Sequence, residues 1–260
     1  MARFTDPTCG TFCWADLQTT DPAAARAFYA KVLGWQFTDM PGPMPYAVAS
    51  VDDGMTAGLM ELPAPARAAG APPHWLPYVA VDDVDTTVAR ATSLGGTVLS
   101  PTMKMDAGAF AVLSDPTGGV FAVWRPTRSM GTTIYGETGG IGWDELVSTD
   151  VDAARDFYTA LFDWTFEVVP MPNVEYTMLK NGDVGIAGLM AMPPEDPGGR
   201  SFWTVYFVVD DADEAFETAT ASGAQVIFPL MDVATVGRFG FLADPQGATF
   251  AVIKMEAPAA

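Results

Sequence analysis

The segment Trp14-Ala-Asp-Leu-Gln-Thr-Thr-Asp21 returns in the second half of the chain as Trp143-Asp-Glu-Leu-Val-Ser-Thr-Asp150. Between residues 14–37 and 143–166, 11 of 24 positions are identical. A turn motif repeats as well, as Asp115-Pro-Thr-Gly118 and Asp244-Pro-Gln-Gly247. Self-similarity of this kind indicates a structural unit that is present twice.

The repeats divide the chain into two domains, which we place at residues 1–125 and 143–260. Residues 126–142 are rich in Gly and Thr and have no periodic apolar pattern, so they are interpreted as a linker. Within each domain the pattern predicts a strand, a helix and three strands, and then the same series again. Each domain therefore contains two βαβββ units, which is an α+β arrangement.

Composition excludes several classes of protein. The 260 residues carry 13 Lys and Arg against 32 Asp and Glu, a formal net charge of −19, so we expect neither nucleic acid nor a membrane surface as a partner. Apolar runs are short, Met1 to Asp6 lacks the core of a signal peptide, and Cys9 and Cys13 are the only two cysteines. These features are typical of a cytoplasmic protein with reduced thiols. The single histidine, His74, excludes a site that needs two or more histidines.

The ordered motifs resemble the vicinal oxygen chelate superfamily, which includes glyoxalase I, bleomycin resistance protein and extradiol dioxygenases. The resemblance is carried by Leu17-x-x-x-Asp21, Phe28-Tyr29-x-x-x-Leu33-Gly34-Trp35, Val81-Asp-Asp83, the two Asp-Pro-x-Gly turns and their second-repeat counterparts. It implies that each domain folds into a curved, cup-shaped mixed sheet with helices outside. Within the superfamily, the tandem acidic form is similar to actinobacterial proteins labelled glyoxalase-like or hydroxylase, some of them encoded among aromatic polyketide genes.

The resemblance also implies four metal-ligand positions, one on each of four strands that face the concave side. They fall on Trp14, near Glu61, near Leu76 and on Ala122 in the first repeat, and on Trp143, Ala191, Thr204 and Ala251 in the second. Only Glu61 is a plausible ligand, and His74 lies two residues before the ligand position near Leu76. Two ligands are fewer than transition-metal sites usually require, so we expect no metal and no other cofactor. A divalent ion held by Glu61 and His74 remains the alternative.

The period of two along a strand indicates what lines each cup instead. If Trp14 faces inward, Phe12, Asp16 and Gln18 do so too, and Leu59 would share a face with Glu61. Arg238 could receive an anionic group of a ligand or pair with a nearby acid. The predicted ligand-binding residues are Trp14, Gln18, Tyr46, Glu61, His74, Tyr78, Trp124, Trp143, Tyr176, Phe202, Tyr206 and Arg238.

Asp16 and Glu145 are the candidate catalytic residues, because an acid on a buried strand needs a partner and acquires a raised pKa. We predict a metal-independent protein that binds a hydrophobic, aromatic small molecule, either to sequester it or in a tailoring step of aromatic natural-product metabolism. The alternatives are a lyase, isomerase or oxygenase-type enzyme with Asp16 or Glu145 as base, and a partner-binding protein with vestigial cups. Because two related domains in one chain mimic a dimer, a monomer or a homodimer is expected.

Overall fold

The computed structural model describes residues 7–42, 44–127, 131–171, 174–193 and 199–256. In the first repeat the elements are β1 (Phe12–Thr19), α1 (Pro22–Leu33), β2 (Gln36–Met40), β3 (Tyr46–Val51), β4 (Gly54–Glu61), α2 (Ala64–Ala68), β5 (His74–Ala80), α3 (Val84–Ser93), β6 (Thr97–Met105), β7 (Gly108–Ser114) and β8 (Val120–Pro126). In the second they are β9 (Ile141–Ser148), α4 (Val151–Phe162), β10 (Thr165–Met171), β11 (Val174–Asn181), β12 (Val184–Ala191), β13 (Phe202–Val208), α5 (Ala212–Ala221), β14 (Gln225–Val233), β15 (Gly237–Ala243) and β16 (Thr249–Met255).

Local sequence sets the ends of the first helix in each repeat. The Asp21 side chain accepts a hydrogen bond from the Ala24 amide, and Gly34 adopts the left-handed conformation that ends α1. In the second repeat Asp150 caps the start of α4 in the same way, whereas the left-handed residue that ends α4 is Asp163. The repeated Asp is therefore a helix cap in both halves.

Each repeat forms one curled, mixed sheet of eight strands. The strand orders are β2-β3-β4-β1-β5-β8-β7-β6 and β10-β11-β12-β9-β13-β16-β15-β14, so the two sheets have the same topology. The central strand β1 pairs parallel with β4 and antiparallel with β5, and β9 does the same with β12 and β13. This arrangement confirms the expected fold of two tandem glyoxalase-like domains, each made of two βαβββ units.

The apolar core on the helix-bearing face of each sheet is shared between the repeats. One core cluster joins side chains of α1 and β1 to side chains of α5 and β13, and a second joins α3 and β5 to α4 and β9. Hydrogen bonds cross the same boundary: the Tyr29 hydroxyl donates to Asp244 Oδ2 (3.1 Å), and the Tyr158 hydroxyl donates to Asp115 Oδ2 (2.9 Å). The repeated Phe-Tyr and Asp-Pro-x-Gly motifs thus join the two repeats.

The structure corrects one inward-facing assignment and adds two elements. A bulge in β1 between Phe12 and Trp14 turns Phe12 toward the helix-side core, so it does not share a face with Trp14. Strand β2 and the short helix α2 were not delimited in sequence. Met1 to Asp6 and residues 128–130 of the expected linker lie outside the described residues. None of the described helices is both long and apolar enough to cross a membrane.

Candidate functional site

A buried carboxyl group lies at the centre of the concave face of each sheet. We call the concave face of the first sheet around Trp14, Asp16, Tyr46 and Tyr78 the first cup. The corresponding face of the second sheet, around Trp143, Glu145, Tyr176 and Tyr206, is the second cup. Asp16 and Glu145 are 4% and 3% exposed, whereas the two tryptophans are half-buried, so each cup covers its acid with aromatic rings.

In the first cup three donors surround the carboxyl group of Asp16. Oδ1 accepts hydrogen bonds from the Trp14 indole Nε1 (2.8 Å) and the Tyr46 hydroxyl (2.8 Å), and Oδ2 accepts one from the Tyr78 hydroxyl (2.7 Å). Burial raises the pKa of Asp16, and these three hydrogen bonds oppose that rise because they favour the carboxylate. The same carboxyl and the surrounding burial raise the pKa of both tyrosines.

In the second cup the acid is one methylene longer and has fewer close donors. The Tyr206 hydroxyl donates to Glu145 Oε1 (2.8 Å), and the Trp143 indole donates to the Tyr176 hydroxyl (2.9 Å), as the Trp14 indole also does to the Tyr46 hydroxyl (3.0 Å). Burial raises the pKa of Glu145 to about 7, against which Tyr206 and Tyr176 act only in part. A carboxyl group with a pKa near neutrality can both give and take a proton at physiological pH.

Two glycines make room for these clusters. Gly58 lies opposite Asp16 on the neighbouring strand, and Gly188 lies opposite Glu145. A Cβ atom at Gly58 would overlap the Asp16 carboxylate and the Tyr46 hydroxyl, and one at Gly188 would overlap the Tyr176 hydroxyl. Because each glycine has no side chain, the hydroxyl of a tyrosine on the adjoining outer strand (β3 or β11) can pass over it toward the acid on the central strand.

Other predicted residues lie around these clusters on the same faces. Gln18 is buried and is the cross-strand partner of His74. The ring Nδ1 of His74 lies 2.8 Å from the Pro72 carbonyl oxygen, and burial lowers the pKa of this histidine. The equivalent positions in the second cup are Val147 and the exposed Phe202. Trp124 packs with Tyr78 on the concave side of the first sheet. The first cup is thus the more polar of the two at this end.

Glu61 and Arg238 do not face the cups. Leu59 belongs to the helix-side core and Glu61 pairs in register with Thr19, so counting by twos from Leu59 leads away from the concave face. Glu61 is exposed and forms an ion pair with Arg67. Arg238 forms ion pairs with Asp213 and Asp232, so of its two alternatives the pairing with nearby acids is the one observed. It is adjacent on β15 to Phe239, which faces the second cup, so Arg238 faces the opposite side.

An open apolar depression of about 650 Å³ adjoins the first cup. Met60 forms part of its wall and also pairs in register with Gln18 and Tyr46. Its volume lies in the range of small-molecule sites. The remaining lining residues are Met44, Pro45, Glu61, Leu62, Pro63, Ala64, Arg67 and Ala68.

The residues at the family's metal-ligand positions do not fit a metal ion. Trp14, Leu76 and Ala122 offer no ligand atom, and the nearest acid, Asp16, already accepts hydrogen bonds on both oxygens. Within the described part of the chain, no three His, Cys, Asp or Glu side chains lie close enough to hold one ion. No step through a metal is therefore derived for either cup.

Sequence reasoning did not select three residues that the structure places in the clusters: Gly58, Gly188 and Thr204. Thr204 pairs in register with Glu145 and is fully buried on the concave face. The repeat itself held the signal, because Ala57-Gly-Leu-Met60 recurs around Gly188 and because Thr204 occupies the position of Leu76. That these glycines leave room for the hydroxyls of Tyr46 and Tyr176 could not be predicted without knowing the cross-strand register.

This fold is found in known proteins, and the chain belongs to the glyoxalase/bleomycin resistance protein/dioxygenase superfamily. Residues 140–252 match the superfamily of that description, and residues 14–124 match a glyoxalase-like domain. The chain is 40% identical over 250 residues to CFP32 of Mycobacterium tuberculosis, a protein named as a glyoxylase, covering 94% of this chain and 95% of the relative. It is 32% identical to the anthracycline biosynthesis protein DnrV of Streptomyces peucetius, covering 98% and 96%.

Solved structures share the architecture at low sequence identity. The Mn(II)-bound glyoxalase from Novosphingobium aromaticivorans has a TM-score of 0.65 at 15% identity, covering 100% of this chain and 87% of that one. The 2,3-dioxygenase LapB from Pseudomonas sp. KL28 also has a TM-score of 0.65, at 13% identity, covering 96% and 95%. At these identities the likeness concerns the fold alone, because this fold supports several chemistries.

Proposed function

We propose that this protein binds a hydrophobic, aromatic small molecule in one or both cups, without a resident metal. It would act either as a carrier or in a tailoring step on that molecule. The observation that carries the proposal is the pair of aromatic clusters around Asp16 and Glu145, at the site where the family's metal enzymes hold their ion. Half-buried indole rings beside a buried hydrogen-bonding group suit a planar ligand with polar substituents.

Two further facts support an aromatic ligand. The depression beside Met60 gives a bound molecule room to extend from the first cup. The relatives DnrV and DauV are named for anthracycline biosynthesis, and anthracyclines are planar, polycyclic hydroxyquinones. A ligand of that chemistry presents flat apolar faces to tryptophan and an edge of oxygen atoms to a carboxyl group or a tyrosine hydroxyl.

Binding is tested by isothermal titration calorimetry with anthracyclines and with 1,4-dihydroxyanthraquinone. We expect dissociation constants below about 100 µM, which corresponds to more than about 5 kcal/mol of binding free energy. The Trp14→Ala and Trp143→Ala variants should weaken binding in their own cup, and Arg90→Ala, which removes an exposed ion pair with Asp163, serves as the control. Absence of binding throughout the panel would overturn the proposal.

Metal independence is tested separately by elemental analysis of protein purified without a histidine tag. We expect less than about 0.1 equivalent of any transition metal, because the cups offer too few ligands for a tight site. A stoichiometric metal that is lost on Glu61→Ala or His74→Ala would contradict this part of the proposal and favour the metal-dependent alternative.

A proton-transfer enzyme is the second candidate function, and the pKa of Glu145 favours it. A buried acid that titrates near pH 7 is suited to general acid–base chemistry, whereas Asp16 is held by three donors that favour its charged form. NMR titration of the glutamate carboxyl groups should reveal one midpoint near pH 7 that Glu145→Gln removes. A Glu145 midpoint at the ordinary value would remove the basis for this candidate.

A further inference from the structure

The second cup contains a buried hydroxyl group that the clusters described above leave unused. Thr204 has no solvent exposure, and its Oγ1 atom has no hydrogen-bond partner among the described residues. A buried hydroxyl without a partner lowers the stability of the folded state. The fold alone gives no reason to keep such a group, because the equivalent position in the first cup is the fully buried Leu76.

The position of Thr204 connects this hydroxyl to the acid. Thr204 and Glu145 are direct partners in the antiparallel ladder of β13 and β9, and both side chains are on the concave face. The Cβ atoms of such partners are about 4.5–5.5 Å apart, so a ligand edge that displaces the aromatic rings covering the acid meets both side chains. A hydroxyl can donate or accept a hydrogen bond. Glu145 can donate when it is protonated and accept when it is ionised, and both forms are present near neutral pH.

We propose that Thr204 is a specificity-determining residue that binds, together with Glu145, the hydroxyl- and carbonyl-bearing edge of an aromatic ligand in the second cup. Leu76 gives the first cup an apolar surface at the same place, so the first cup accepts the ligand without selecting for that edge. This inference rests on the proposed function, because it concerns the ligand of the same cups.

The test compares two probes that differ only in their hydroxyl groups, 1,4-dihydroxyanthraquinone and 9,10-anthraquinone. Thr204→Val removes the hydroxyl at nearly constant shape, and Thr204→Ser keeps a hydroxyl. Thr56 of β4 is also fully buried with an Oγ1 atom that lacks a partner among the described residues, so Thr56→Val is the matched control. To isolate the second cup, all affinities are measured by calorimetry in a Trp14→Ala background.

We expect Thr204→Val to weaken binding of the dihydroxy probe about tenfold, and to leave binding of 9,10-anthraquinone within about twofold of its starting value. Thr204→Ser should keep most of the discrimination between the probes, and Thr56→Val should change neither affinity. In the absence of a ligand, Thr204→Val should raise Tm by about 2–4 °C, because an unpaired buried hydroxyl has been removed.

The outcomes separate this inference from the proposed function. If the unaltered protein binds neither probe nor any anthracycline, the proposed function fails and this inference fails with it. If both probes bind but Thr204→Val leaves their ratio unchanged, only the role of Thr204 is overturned. A fall in Tm for Thr204→Val would also overturn it, because the hydroxyl would then be supporting the fold.

Discussion

The two cups have the same strand order and the same kinds of residue, yet they hold their acids differently. In the first cup the shorter Asp16 accepts hydrogen bonds from an indole and two phenols. In the second the longer Glu145 accepts one from Tyr206. Both indoles donate to the neighbouring tyrosine hydroxyl, but only that of Trp14 also donates to its acid. One methylene group therefore changes which hydrogen bonds the buried acid can make.

The polarity of the residues around each acid also differs between the cups, and the difference reverses along the strands. Beside the acid, the first cup has the apolar Leu76 and the second has Thr204, whereas one step further the first has Gln18 and His74 and the second has Val147 and Phe202. Duplication has thus kept the cluster and changed its neighbours. Under the proposed function, the two cups would therefore contact different parts of a ligand or serve different steps.

The largest expected effect concerns the pH dependence of stability. Because the pKa of Glu145 is raised to about 7 in the folded state from 4.5 in the unfolded state, the folded protein holds an extra proton between these values. Stability from this group is therefore highest below pH 4.5, falls as the pH rises, and levels off above pH 7. The full change is about 3 kcal/mol at most.

Glu145→Gln should reduce the slope by the contribution of this group, whereas other buried acids with a raised pKa, such as Asp144, keep theirs, and urea unfolding between pH 5 and pH 8 measures the difference. Asp16→Asn is the comparison, because three donors favour the charged form of Asp16 and the substitution should destabilise the protein near neutrality. If Glu145→Gln unfolds with the slope of the unaltered protein, the two acids do not differ as the structure indicates.

The next effect concerns the glycines that admit the tyrosine hydroxyls. Gly58→Ala and Gly188→Ala should each destabilise the protein by about 2–3 kcal/mol, because the new Cβ atom overlaps the acid cluster. Gly42→Ala is the control, since a Cβ atom there meets only a carbonyl oxygen at 3.9 Å. Thermal unfolding measures all three, and equal Tm values would show that neither cup depends on its glycine.

A smaller effect is expected from removing one tyrosine hydroxyl in each cup. Tyr78→Phe and Tyr206→Phe should each cost about 1–2 kcal/mol, because each removes a donor from a buried acid. Urea unfolding of the two variants measures the cost. A cost near zero for either variant would show that its hydroxyl does not support the acid beside it.

The smallest effects belong to the residues that face away from the cups. Arg90→Ala and Arg238→Ala remove exposed ion pairs, so neither should change the affinity for an aromatic probe or cause a measurable change in Tm. Calorimetry and thermal unfolding check both points. A loss of affinity for either variant would place a ligand contact outside the concave faces.

The fold followed from the sequence because its signals are local and are given twice. Asp21 caps a helix and Gly34 ends it through contacts within a few residues. The site was harder to predict from the sequence, because it depends on the register in which distant strands pair. Counting by twos selected Asp16 beside Trp14 on the concave face, but the bulge after Phe12 and the pairing of Glu61 with Thr19 changed two other assignments.

The sequence alone determined the duplication, the capped helices, the family and the acids of the central strands, because each of these is written in neighbouring residues or in their repetition. Only the tertiary structure decided that Tyr46 and Tyr176 reach their acids across a glycine, that Thr204 lies beside Glu145 without a hydrogen-bond partner among the described residues, and that the repeats share their cores. Those features depend on pairing between distant strands and on burial, which set the hydrogen bonds and the pKa of each acid.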